Sequence, residues 1–341
     1  MAQGKKISLA LQGGGTHGAF TWGVLDRLLE EDDLEIDGIS ATSAGAMNAA
    51  MVAHGLTIGG RGGAKEKLAE FWHAVAESAP ELLKMTNRMQ MMMGAEPGVG
   101  VEYSPAYVWT DFVTRMFAPQ QFNPMDINPL RDVLERVLDI DKACACAAVR
   151  LFINATNVRT NRLHVFHTHE VTIDALMASA CLPFLFRTVE IGGEAFWDGG
   201  YVGNPSVYPL IRDCAARDVV VVHVNPINRD DIPTDARAIM NRVNEVSFNS
   251  SIMREMENVI LINQLIDEGE LSSKRLKRVY LHAILDEDLM RQYSVASKAM
   301  PDMAFISKLH EAGRRSADHW LHDHLDDVGQ RDSADLKTLY L

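Results

Sequence analysis

"ISLALQGGGTHGAF", residues 7–20, decides the fold. A short apolar run from Ile7 to Gln12 is stopped by three glycines. From His17 onward Phe20, Val24, Leu25, Leu28 and Leu29 recur at helical spacing, until the acidic "EEDD" of residues 30–33. The run predicts a buried strand and the spacing predicts a helix. Gly13, Gly15 and Gly18 spell G-x-G-x-x-G, a pattern that cradles a dinucleotide pyrophosphate in a strand-to-helix setting. The same loop also reads as a nest of backbone N–H groups for an oxyanion that exists only in a transition state. Three consecutive glycines lose more conformational entropy than an ordinary turn requires, so something must come close to this backbone.

Outward from the loop, "IDGISATS" (36–43) returns to strand character. "AGAMNAAMVAHG" (44–55) then reads as a small-residue helix with Gly55 as its C-terminal cap. Strand, loop, helix, strand, turn, helix is the start of a parallel sheet with helices on its faces. Further strands are expected at "VRLFINATNV" (149–158), "RLHVFH" (162–167), "TVEI" (188–191) with "AFWDGG" (195–200), "DVVVVHVNP" (218–226) and "RVYLHAIL" (278–285). Residues 60–142 read as helices and loops, and the chain after Pro226 turns polar and helical.

A chain of 341 residues, 47% of them hydrophobic, can bury a full core. Its formal charge of −13 argues against nucleic acid as a partner, because that binding rests on cations that neutralise phosphates. "KRLKR" (274–278) reads as a solvated edge before a strand. Cys144, Cys146, Cys181 and Cys214 are too few and too irregular for a disulfide framework or a zinc site. "HVFHTH" looks metal-like, yet strand alternation puts His164 on the face opposite His167 and His169. No apolar stretch approaches the roughly 20 residues that a membrane helix needs, and the expected location is cytoplasmic.

"ATSAG" (41–45) sits where a strand turns into a helix, the setting that exposes a serine hydroxyl above a sheet. Ser43 is therefore a candidate nucleophile, although serine is equally at home as a helix N-cap. A serine needs a base. Asp198 in "FWDGGYVGNP" ends an apolar strand before two glycines, which let another backbone approach; its plainer reading is a turn-forming Asp-Gly pair.

Gly-Gly-Gly-x-x-Gly at 13–18, "TSAGA" at 42–46 and "DGG" at 198–200, in that order and with "SACLPFLF" (179–186), resemble the patatin-like phospholipases over residues 6–226. The resemblance implies a three-layer α/β/α fold with a mostly parallel sheet. It implies a serine acyl hydrolase acting on lipid esters through a Ser43–Asp198 dyad, with no catalytic histidine and no metal or organic cofactor. Backbone N–H groups of Gly13, Gly14, Gly15 and Thr16 would form the oxyanion hole, supported by His17, Gly18, Gly45, Gly199, Gly200 and Asn204. An aspartate at its ordinary pKa of about 4 is a weak base at neutral pH, so Asp198 must be desolvated and its pKa raised.

A dinucleotide site would want its acidic residue at the end of the second strand; Asp37 begins that strand and Ser43 closes it. The sequence departs from the family at Ala41, where glycine is usual, and at His17, where arginine or lysine is usual. His17 reads as an anchor for the loop, with a role as base the competing reading. Acyltransferase, thioesterase and a non-catalytic nucleotide- or lipid-binding module are the alternative functions. A lipid or acyl-ester substrate and transient contact with a membrane surface are the expected partners; the oligomeric state is unknown. Residues 227–341 are expected to form a mainly helical extension packed on the catalytic domain. "MTNRMQMMMGAEPGVGVEY" (85–103) reads either as a flap over the acyl site or as a helix of core methionines.

Overall fold

The first strand, β1 (Lys5–Leu11), lies at the centre of a sheet. The computed structural model describes residues 4–81, 84, 85, 92, 94, 96–271 and 276–341. Ile7, Leu9 and Leu11 face one hydrophobic cluster while Ala10 faces another, the period-two alternation of a strand covered on both sides. Its neighbours are β2 (Leu34–Ala41), β3 (Arg150–Asn157), β4 (Arg162–His167), β5 (Val189–Ile191), β6 (Glu194–Asp198), β7 (Asp218–Val222) and β8 (Tyr280–Ile284). Each falls on a run expected from the sequence. The order is β5-β6-β3-β2-β1-β7-β8, with β4 paired to β3 off this path. β3, β2, β1, β7 and β8 run parallel, and β4, β6 and β5 add antiparallel pairs at one edge.

The helices that matter for the site are α1 (Gly18–Leu28), α2 (Ala44–Glu77), α3 (Pro105–Met116), α4 (Ile173–Ser179), α5 (Ala236–Asp267) and α6 (Met303–His324). α1, α2 and α6 cover one face of the sheet, burying Phe20, Leu25, Met47, Phe305 and Leu309. α5 covers the other with Ile252, Met256 and Ile260. The result is a three-layer α/β/α arrangement with a mainly helical C-terminal region, which also extends the sheet by β8. α6 crosses α1 closely: a Cβ on Gly23 would lie 1.9 Å from the His310 carbonyl oxygen, and one on Gly313 would lie 2.0 Å from that of Phe20. The two glycines are what let these backbones touch.

One cap differs from its sequence reading. α2 does not end at Gly55 but runs on to a kink at Gly59 and Gly60, where Gly60 takes a left-handed φ of 60°. Gly55 instead sits where the two arms of α2 meet, its missing Cβ only 2.3 Å from Ala64 Cα. Close approach, and not capping, explains that glycine. The methionine-rich reading at 85–103 falls partly outside the described residues, at 86–91, 93 and 95. Among the described residues no helix is long and apolar enough to cross a membrane.

Candidate active site

The parallel strands β1 and β2 end together, and the antiparallel β6, paired with the last residues of β3, sets Asp198 opposite Ala155 at that same edge of the sheet, where ligands bind in open α/β folds. Ser43 follows β2 with φ 53° and ψ −122°, a backbone that an L-residue rarely adopts and that costs about 1–3 kcal/mol. The elbow is held from three sides. Thr42 N–H donates to the Leu11 carbonyl at 3.2 Å, Ser43 N–H donates to Ser179 Oγ at 2.9 Å, and Asn154 Nδ2 donates to the Ala41 carbonyl at 3.0 Å. Ser43 does not cap α2 with its side chain, which leaves its hydroxyl for other work.

Asp198 ends β6 and is 1% exposed. Its Oδ1 accepts the Gly200 N–H at 2.7 Å, so the turn-forming reading of this aspartate is also correct. Thr156 Oγ1 donates to its carbonyl at 2.7 Å. Burial pushes the Asp198 carboxyl up to about 7, against the lowering influence of the Gly200 N–H, the Ser43 hydroxyl and the charge of Lys298. A carboxylate tuned near neutrality beside a serine hydroxyl can act as a general base.

The glycine loop lies directly against Ser43: a Cβ on Gly13 would stand 2.8 Å from Ser43 Cβ. Gly13 N–H is engaged, donating to Asn204 Oδ1 at 2.7 Å. Gly14, Gly15 and Thr16 lead into a single helical turn (Gly15–His17), and opening N–H groups of such a turn have no intrahelical acceptor. Among the described residues no acceptor is found for these three. Gly15 takes a left-handed φ of 56°, a backbone conformation that occurs in anion-binding turns. Gly18, Gly45 and Gly199 sit where Ala44, the Leu11 carbonyl and the Asn154 carbonyl pass, and Gly200 sits against the Phe248 ring.

His17 makes its contacts with the C-terminal region. Its Nε2 pairs with Ser297 Oγ at 2.8 Å, and its ring packs between Tyr293 and Phe305. Burial, reinforced by the charge of Lys298, lowers it to about 3, so it is neutral. The sequence reading assigned no role to several polar residues that complete the surroundings. Gln12 Oε1 accepts from Val224 and Asn225 N–H, Asn225 Nδ2 donates to the Gly13 carbonyl at 2.9 Å, and Ser179 holds the elbow. Gln12 and Asn225 leave only the signal of an amide side chain in an apolar run, whereas Ser179 opens the "SACLPFLF" stretch. The histidines of β4 serve packing: His164 lies against Phe166 and Phe196, and His167 against Phe152. Among the described residues no group of three metal-ligating side chains stands together.

A cavity of about 610 Å³ lies at the turn that follows β6, lined by Met116, Phe117, Thr156, Phe184, Trp197 and Tyr201 among others. Trp197 and Tyr201 flank Asp198 in the chain, and the walls are mostly apolar.

Compared with known proteins, the chain matches the family model described as Patatin-like phospholipase over residues 9–211, more than half its length. The solved structure of VipD from Legionella pneumophila is similar at 14% identity and a TM-score of 0.37, with 99% of this chain and 79% of that chain covered. No curated protein matches the sequence.

Proposed function

Because this chain belongs to the patatin-like phospholipase family, a family of lipid acyl hydrolases, we propose that it cleaves lipid carboxylic esters through a Ser43–Asp198 dyad. The observation that carries the reading is the pairing of a serine on a left-handed elbow with a buried carboxyl pushed up to about 7. Asp198 takes the Ser43 proton as Oγ attacks the ester carbonyl. The tetrahedral oxyanion is held by N–H groups of Gly14, Gly15 and Thr16, while Gly13, its own N–H bound to Asn204, braces the loop. Preorganised donors of this kind are worth several kcal/mol in the transition state, on the order of 10²–10³ in rate for one donor. As the tetrahedral intermediate collapses, Asp198 returns the proton to the leaving alcohol, then takes one from the water that attacks the acyl-serine and passes it to Ser43 Oγ as the acyl–oxygen bond breaks and the fatty acid leaves.

The apolar cavity at the turn that follows β6 is the space we assign to the acyl chain, and its mostly carbon lining suits a lipid tail. We assign the catalytic machinery to residues 6–226 and treat 227–341 as an extension packed on it. Transient contact with a membrane surface, from the cytoplasmic side, belongs to the same proposal.

A fluorophosphonate probe tests it directly, since only an activated serine reacts. Labelling of the unaltered protein that disappears in Ser43→Ala is expected. No labelling, or labelling that survives Ser43→Ala, overturns the proposal.

A further inference from the structure

Lys298 lies on a short helical turn (Val295–Ala299) of the C-terminal region, a hundred residues beyond Asp198 in the chain. Three groups hold its partly buried ammonium. Asn225 Oδ1 accepts from it at 2.7 Å and Asn244 Oδ1 at 3.0 Å. The Phe248 ring lies 5.1 Å beneath it. Two of these partners, Asn225 and Phe248, also touch the site. Asn225 uses its other amide atom to bind the Gly13 carbonyl at 2.9 Å, so the ammonium fixes which way that amide points. Phe248 packs on Gly200, and its carbonyl accepts from Asn204 Nδ2 at 3.1 Å. The Lys298 carbonyl abuts Gly15, 2.3 Å from where a Cβ would stand.

The charges around it are few. Glu245 on α5 already pairs with Arg229 and Arg242. His17 is neutral. Among the described residues, Asp198 is the other carboxylate that Lys298 acts on through the interior.

We propose that Lys298 is a positioning residue of this active site: its ammonium locks the Asn225 amide that braces the glycine loop, and its charge sits on the Phe248 ring that packs against the Gly200 turn holding the Asp198 carboxylate. The C-terminal region thereby completes the site instead of merely covering the sheet. This inference rests on the dyad reading.

A positive charge in a poorly solvated site favours the ionised carboxylate. Its own ammonium is lowered to about 8 by burial, so it is still mostly charged at neutral pH. Removing the charge leaves burial unopposed and raises Asp198 further. Since the base must be ionised, the acid limb of kcat/KM should then move to higher pH.

The test measures kcat and KM on a short soluble ester from pH 5 to 9 for Lys298→Gln, Lys298→Arg and Ser43→Ala. Gln keeps a hydrogen-bonding end without the charge. Its acid limb should move up by roughly one pH unit, the scale of one nearby charge, with kcat near pH 6 down about tenfold and KM little changed. Lys298→Arg should return the midpoint to that of the unaltered protein, whatever its absolute rate. A folded Lys298→Gln with an unmoved midpoint overturns the proposal; if that variant does not fold, Lys298→Met is read by the same criterion. Activity that persists in Ser43→Ala overturns the dyad reading itself. An inactive Ser43→Ala beside an unmoved Lys298→Gln overturns the role of Lys298 alone.

Discussion

At the scale of single residues, the site stands on two side chains held against their ordinary preferences. Ser43 occupies a left-handed backbone, and Asp198 is buried with no cation in direct contact among the described residues. The second has a consequence for stability. Between its unfolded value near 3.8 and about 7, the unfolded chain is ionised where the folded one holds a proton. Stability therefore falls as pH rises through that window and the loss is complete above it. Asp198→Asn keeps an acceptor for the Gly200 N–H and removes the charge. It should raise Tm by a few degrees at pH 8, change it little at pH 4, and abolish ester hydrolysis, as thermal melts and p-nitrophenyl ester assays would show. The unaltered enzyme should gain kcat/KM with rising pH through about 7. His17 shows the opposite sign. Its folded value, lowered to about 3, is below the ordinary 6.5, so its stability contribution is present above 6.5 and is lost as pH falls toward 3. His17→Gln retains a hydrogen-bonding end for Ser297. It should keep activity within about tenfold, well short of the 10²–10⁴ typical of losing a general base, and lessen the acid-side loss of Tm. A larger fall in activity would give His17 the role of base.

At the scale of elements, α3 stands out because it buries no residue. Trp109 is 67% exposed, Phe112 52% and Met116 62%, three positions spaced at three and four residues, hence on one helical face. Met116 also lines the cavity at the turn that follows β6, so this face continues into the proposed acyl site. An interfacial helix gains from burying such side chains in a lipid surface. The double variant Trp109→Ala, Phe112→Ala should bind phosphatidylcholine vesicles more weakly in sedimentation. It should cleave vesicle lipid more slowly, while hydrolysis of a soluble short-chain ester stays unchanged. Equal loss on both substrates would place the helix in the catalytic fold and not at a lipid surface.

At the scale of the whole molecule, the C-terminal region and the catalytic elements share one sheet and one core. β8 pairs with β7 along its whole length, and α6 buries Phe305, Ile306 and Leu309 against α1. A chain cut after residue 226 would expose the apolar face of α1 and the edge of a fully buried strand. It should accumulate as insoluble protein or lack a cooperative melt; a soluble, cooperatively melting 1–226 would show the region to be dispensable for folding. The sequence by itself determined the strands, the elbow and the aspartate turn, because each is a local matter. Alternation, glycine placement and small residues at a sharp turn act within a few positions of each other. It also carried the order of the three motifs that marks the family. It did not reveal where α2 breaks, since Gly55 and Gly60 look alike in a string and only packing against Ala64 separates close approach from chain reversal. It could not tell that Gly13 would give its N–H to Asn204, or that His17 would be enclosed by Tyr293, Ser297 and Phe305. Nor could it bring Lys298 to a glycine loop at the other end of the chain. Those choices belong to the tertiary structure, because burial, and with it the pKa of every buried group, depends on what the rest of the chain brings into contact.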